Sequence, residues 1–202
     1  MSWLVLRGKC SACGTSISLR YPLVELSTAA LFAAAAWRFG AQPAALMWCG
    51  VLAVLLTLAL IDWDTTVLPD NLTLPLLWAG LIAAALGWLP EVPLATSVWG
   101  AVTGYLSLYL VYVFFKLATG KEGMGFGDFK LLAALGAWLG WQAILPIVLM
   151  ASVLGAVVGL VMKATGSLRE GRFVPFGPFL AGGGVTVMLL GLPTVLAWIG
   201  QA

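Results

Sequence analysis

The chain has 202 residues, 62% hydrophobic and only 9% charged, which excludes an ordinary soluble globular protein and indicates a polytopic membrane protein. Ten Lys and Arg against eight Asp and Glu leave a net charge of +2, which says little about partners; no nucleic acid is expected among them. The sequence has no histidine, which excludes Ser-His and Cys-His nucleophiles, histidine metal sites and histidine proton relays. Acid–base chemistry falls to carboxylates, Cys, Lys or Tyr.

Residues 1–22 form a basic, cysteine-containing segment with no apolar core of the kind a cleavable signal peptide needs. Residues 23–202 read as one membrane domain. The expected fold class is all-α, with about seven transmembrane helices of near-apolar sequence. They are placed at 23–39, 44–61, 72–89, 94–117, 129–139, 144–162 and 176–199. The fifth is short, and Trp138-Leu-Gly-Trp-Gln142 turns it directly into the sixth. The run Val174-Pro-Phe-Gly-Pro-Phe179 forces a bend before the last; the sequence does not show whether it also lines a groove. Gly100 and Gly104, Gly136 and Gly140, and Gly155 and Gly159 are small residues four apart, the spacing that lets helix backbones approach.

Orientation follows from the basic residues. With the N-terminus in the cytoplasm, Arg7, Lys9, Arg20, Lys116, Lys121, Lys130, Lys163, Arg169 and Arg172 all fall inside, and Arg38 alone falls outside. The same assignment puts Asp62, Asp64, Asp70 and Asp128 on the cytoplasmic side, although they played no part in making it.

Those acids sit in two stretches, Ile61-Asp-Trp-Asp-Thr-Thr-Val-Leu-Pro-Asp70 and Gly123-Met-Gly-Phe-Gly-Asp-Phe-Lys130. Carboxylates at membrane depth are costly and point to function. Two of them within a few ångströms cannot both stay ionised; they share a proton and titrate as a unit. That is the arrangement of an aspartic protease, in which one carboxylate activates water and its protonated partner polarises the scissile carbonyl. The plain alternative is that Asp128 is a helix N-cap and Asp62 a wetted interfacial residue. Asp64 is equally placed to be the second acid, and the local sequence does not separate it from Asp62. Asp70 follows Pro69 and reads as a structural N-cap. Glu25 lies near a helix start, where the dipole favours it. Cys10 and Cys13, spaced as Cys-x-x-Cys, read as half of a zinc site, a redox pair or two inert thiols; Cys49 reads as packing.

Gly125-Phe-Gly-Asp128 is a Gly-x-Gly-Asp motif. Together with Ile61-Asp62, Leu68-Pro-Asp70, Gly8-Lys-Cys-x-x-Cys13, Arg20-Tyr-Pro-Leu-Val-Glu25 and Pro175-Phe-Gly-Pro178, it resembles the bacterial type IV prepilin peptidases, over nearly the whole chain. The resemblance implies an aspartic endopeptidase of the bacterial inner membrane with its active site facing the cytoplasm. Such an enzyme cuts the basic leader from type IV prepilins and type II secretion pseudopilins after a glycine. Membrane lipid and these substrates are the implied partners. Many members then methylate the new N-terminal amine with S-adenosylmethionine. The resemblance assigns catalysis to Asp62, rather than Asp64, and to Asp128. Gly125, Gly127, Lys130 and Asp64 become substrate-binding or supporting residues. It needs no cofactor for peptide cleavage.

The family pattern includes a further N-terminal span and a first Cys-x-x-Cys, which with Cys10 and Cys13 would complete a four-cysteine zinc site. This sequence opens almost at the second pair, so zinc binding and methyl transfer are not implied for it as it stands. A proton- or cation-coupled transporter and a non-catalytic component of a secretion or pilus machine are the competing readings. Acids clustered at one face and the lack of a repeat disfavour the transporter.

Overall fold

The computed structural model describes residues 2–6, 8–40, 42–121, 123–166 and 174–200. Arg7, Glu122, Arg169 and Arg172 lie outside the described residues. The described residues form helices α1 (Ser2–Val5), α2 (Arg20–Phe39), α3 (Pro43–Thr65), α4 (Asp70–Ala85), α5 (Leu94–Thr119), α6 (Phe126–Leu139), α7 (Ile144–Ala164), α8 (Gly177–Leu190) and α9 (Leu192–Trp198). Only an isolated bridge between Lys9 and Ser16 departs from this all-helical pattern among the described residues.

Three stretches are long and apolar enough to cross a membrane alone, Pro43–Thr65, Leu94–Thr119 and Trp141–Ala164, and α8 with α9 makes a fourth if counted together. By length and composition the described residues thus offer three or four candidate spans, and the expected seven are not confirmed. At 1.5 Å per residue the 16 residues of α4 reach ~24 Å and the 14 of α6 and of α8 ~21 Å, short of a hydrocarbon core of ~30 Å. Helix α2 has 20 residues but carries Arg20, Glu25 and Arg38. The expected last span is not one rod: the chain bends by 112° between α8 and α9. Gly191 sits at φ 84° between them and Leu192-Pro193 starts a new helix, so the α8 hydrogen-bond ladder ends there.

The chain divides into two compact units, Met1–Ala53 and Val54–Ala202. In the first, residues 8–17 form a tight reversal: the Cys10 amide donates to the Thr15 carbonyl at 2.9 Å and the Gly14 amide to the Cys10 carbonyl at 2.9 Å. Trp3 closes it by donating from Nε1 to the Ile17 carbonyl at 3.0 Å. Phe39 and Trp48 stack with their ring centres 5.4 Å apart.

The second unit is built around α6. Every residue of α6 from Asp128 to Trp138 except Lys130 is buried, so this short helix faces protein on all sides. It packs against α5, α4 and α8, and α7 packs against α8. The sequence permits this because glycines remove the side chains that would hold the helices apart. Gly100 of α5 and Gly136 of α6 meet backbone to backbone, each with the other's carbonyl where a Cβ would stand. A Cβ on Gly104 would lie 2.6 Å from the Leu132 carbonyl oxygen. Two directed bonds fix the register: Ser97 Oγ donates to the Ala137 carbonyl at 2.6 Å, and Trp138 Nε1 to the Leu76 carbonyl at 2.8 Å. Gly155 and Gly159 instead receive side chains, Phe179 at 3.3 Å and Val174 at 3.6 Å from a notional Cβ, so that pair is a socket rather than a backbone crossing.

Candidate active site

Asp62 lies in the last turn of α3, where the helix dipole disfavours an anion. Its compensation comes from far along the chain. The Gly177 amide, at the start of α8, donates to Asp62 Oδ2 at 2.9 Å. A helix N-terminus favours a negative charge, so α8 offsets what α3 withholds. The approach requires glycine: a Cβ on residue 177 would sit 2.6 Å from Asp62 Oδ2 and 3.1 Å from Leu68 Cδ1.

Asp128 is not the N-cap of its helix, as its sequence position had implied. Helix α6 starts two residues earlier, at Phe126, with Gly125 as the extended N-cap at φ −79° and ψ 147°. Asp128 thus falls in the first turn, and its carboxylate accepts from the Gly125 backbone, the reciprocal half of a capping box. Residues 62 and 128 are 4% and 7% exposed, the two buried carboxylates among the described residues. The Asp62 carboxylate acts electrostatically on that of Asp128.

Both carboxylates line one cavity of about 380 Å³, with Thr66, Gly123, Met124, Gly125, Val174, Pro175 and Phe176. The structure separates Asp62 from Asp64, which local sequence did not: Asp64 is exposed and away from this cavity. Asp70 also takes a different place from the one expected. Pro69 occupies the N-cap position, and Asp70 is the first residue of α4. Its carboxylate holds Lys130 Nζ at 2.6 and 2.8 Å, so Lys130 ties α6 to the start of α4 rather than reaching the cavity.

The glycines of the motif divide their work. Gly123 and Gly125 line the cavity; Gly127 does not. A Cβ on Gly127 would lie 2.6 Å from Leu68 Cβ, so this glycine lets α6 close on the chain after α3. Leu68, 7% exposed, thereby wedges between the starts of α6 and α8. Sequence reasoning missed Leu68, Thr66 and the Gly177 amide as parts of the site. The Leu-Pro-Asp and Pro-Phe-Gly-Pro runs were the available signal, but their partners lie far along the chain.

The cysteine pair lies in the other unit, Met1–Ala53. Cys13 is exposed and Cys10 half-buried, both as free thiols. The Thr15 hydroxyl lies 3.2 Å from Cys13 Sγ, and hydrogen bonds from Thr15 bring this thiol down to about 7. No group of three or more His, Cys, Asp or Glu that could hold a metal ion gathers among the described residues; a four-ligand structural zinc site would need two ligands beyond Cys10 and Cys13. Glu25 lies in the second turn of α2, near the helix start as expected, and borders a cavity of about 640 Å³ with Trp3 and Tyr21.

Fold and site together define a helical membrane protein with paired buried carboxylates. Residues 49–160 match the type IV leader peptidase family and residues 1–39 the bacterial peptidase A24 N-terminal domain, and the chain belongs to that peptidase family. It is 52% identical over 195 residues to a prepilin leader peptidase/N-methyltransferase of Stutzerimonas stutzeri, covering 95% of this chain and 65% of that protein. A protein of the same name from Pseudomonas putida is 53% identical over 192 residues, covering 95% and 66% respectively. One from Pseudomonas aeruginosa is 49% identical over 195 residues, with 95% and 65% covered. The chain thus spans just under two thirds of the length of these curated relatives. No solved structure matches it.

Proposed function

We propose that this chain is a membrane aspartic endopeptidase that removes the leaders of type IV prepilins and type II secretion pseudopilins at the cytoplasmic face of the inner membrane. One observation carries the reading: Asp62 and Asp128, both buried, line a single cavity. In the mechanism, one carboxylate is ionised and takes a proton from a water placed between the two. The other, protonated, donates a hydrogen bond to the scissile carbonyl as the water oxygen attacks. Collapse of the tetrahedral intermediate returns a proton to the leaving amine and restores the shared-proton pair.

Membership of the family and the relatives' names support the substrate class. The bias of Lys and Arg supports the cytoplasmic orientation. Seven crossings remain part of this proposal, with the short helices α4, α6 and α8 crossing in the shelter of their neighbours; the burial of α6 supports that arrangement. Methylation of the freed amine enters by the relatives' names and would draw on S-adenosylmethionine. Zinc would require a second cysteine pair beside Cys10 and Cys13. Gly125 and Gly123 border the space in which the substrate backbone would lie, which suits a glycine before the cut.

The test is cleavage in membranes of three substrates: an intact prepilin, the same prepilin with its pre-cleavage glycine made bulky, and a leader peptide without the apolar helix. Only the first is expected to be cut efficiently. Failure to cut the intact prepilin would overturn the reading. Efficient cutting of the other two would overturn the recognition model while leaving the carboxylate pair in place. Mass measurement of the new N-terminus, with and without S-adenosylmethionine, reads out methyl transfer separately.

A further inference from the structure

Thr66 is the one non-glycine residue with positive φ, 55°, among the described residues. For a β-branched side chain the left-handed region is strained, and such strain collects at functional sites. Thr66 also lines the cavity that holds Asp62 and Asp128, where it supplies the only neutral side-chain hydroxyl among the described residues. Its backbone is well held: its amide donates to the Asp62 carbonyl at 2.7 Å, closing the last turn of α3. Its hydroxyl proton is committed as well, donated to the Thr65 carbonyl at 2.6 Å. That donation leaves the oxygen lone pairs as acceptors. A glycine would take this backbone conformation at no steric cost, so turning the chain does not account for a threonine here.

We propose that Thr66 is a substrate-binding residue whose Oγ1 accepts a main-chain N–H of the peptide being cut, beside the scissile bond. The inference rests on the peptidase reading and names a contact that reading does not need. The two carboxylates deal with the scissile carbonyl and the water. Both are occupied during the reaction, and neither is available to hold a neighbouring substrate amide. An acceptor fixed on the turn after Asp62 would keep the extended peptide in register, and so set where the cut falls.

The experiment compares Thr66→Gly, Thr66→Ser and the unaltered protein in membranes, using an intact prepilin, with KM, kcat and the mass of the new N-terminus as readouts. Thr66→Gly keeps the turn and removes the acceptor, so KM is expected to rise by roughly tenfold, the effect of one lost hydrogen bond, with kcat little changed. Thr66→Ser keeps the oxygen and is expected to remain within about twofold of the unaltered protein, inside the range of a retained bond. Thr66→Gly cutting as well as the unaltered protein would overturn the inference, as would equal losses in the Gly and Ser variants. If the unaltered protein leaves prepilin uncut, the peptidase reading itself fails, a result distinct from either.

Discussion

The end of α3 and the start of α6 each deliver one buried carboxylate to the same cavity, and they do so in opposite ways. Asp128 is supported by its own neighbourhood: it lies in the first turn of α6, beside the Gly125 backbone, where the helix dipole favours its charge. Asp62 lies at the wrong end of its helix and depends on the Gly177 amide, 115 residues away. Local chain geometry places one acid, and a tertiary contact holds the other. The hydrogen bond that holds Asp62 exists only when α8 is docked, so this half of the site depends on the packing of the second unit.

The comparison can be broken first at the acids themselves. Asp62→Asn and Asp128→Asn should each lower prepilin cleavage by roughly 10³-fold, the scale of a lost general acid or base. The double variant should be scarcely worse, because both groups act on one water. Substantial cleavage by either single variant, with the protein inserted normally, would remove the carboxylates from the mechanism.

Gly177→Ala against Gly125→Ala tests how each acid is held. A Cβ at 177 meets Asp62 Oδ2 at 2.6 Å, whereas one at 125 finds Asp128 Oδ2 at 3.9 Å, ordinary contact. We expect Gly177→Ala to destabilise the second unit by about 1–3 kcal/mol, the cost of overpacking, and to lose most activity. Gly125→Ala should cost under about 1 kcal/mol as an exchange at an N-cap. Thermal unfolding in detergent measures both, and equal losses would erase the distinction between the two supports.

Smaller effects are expected at the charges outside the cavity. Asp64→Asn should leave cleavage within about threefold of normal, as for a surface change distant from the chemistry. A dead Asp64→Asn beside an active Asp62→Asn would show that the wrong acid had been paired with Asp128. Smallest of all, Lys130→Met removes the ion pair with Asp70, whose side chains are 27% and 56% exposed. Solvent screening limits that loss to about 1 kcal/mol or less, measured as a shift in unfolding midpoint.

Composition was enough to give an all-helical membrane protein, because few side chains in it can face water. The glycine and proline runs marked where helices stop. The Gly-x-Gly-Asp and Leu-Pro-Asp motifs picked out both candidate carboxylates. Tertiary structure decided which of Asp62 and Asp64 enters the cavity, since burial depends on what packs against the end of α3. It also decided that Gly127 serves packing against Leu68, that Lys130 pairs with Asp70, and that the last apolar stretch bends at Gly191. Periodicity and propensity act over a few residues, so they place helices well. The bond from Gly177 to Asp62 joins residues that only the docked helices bring within reach.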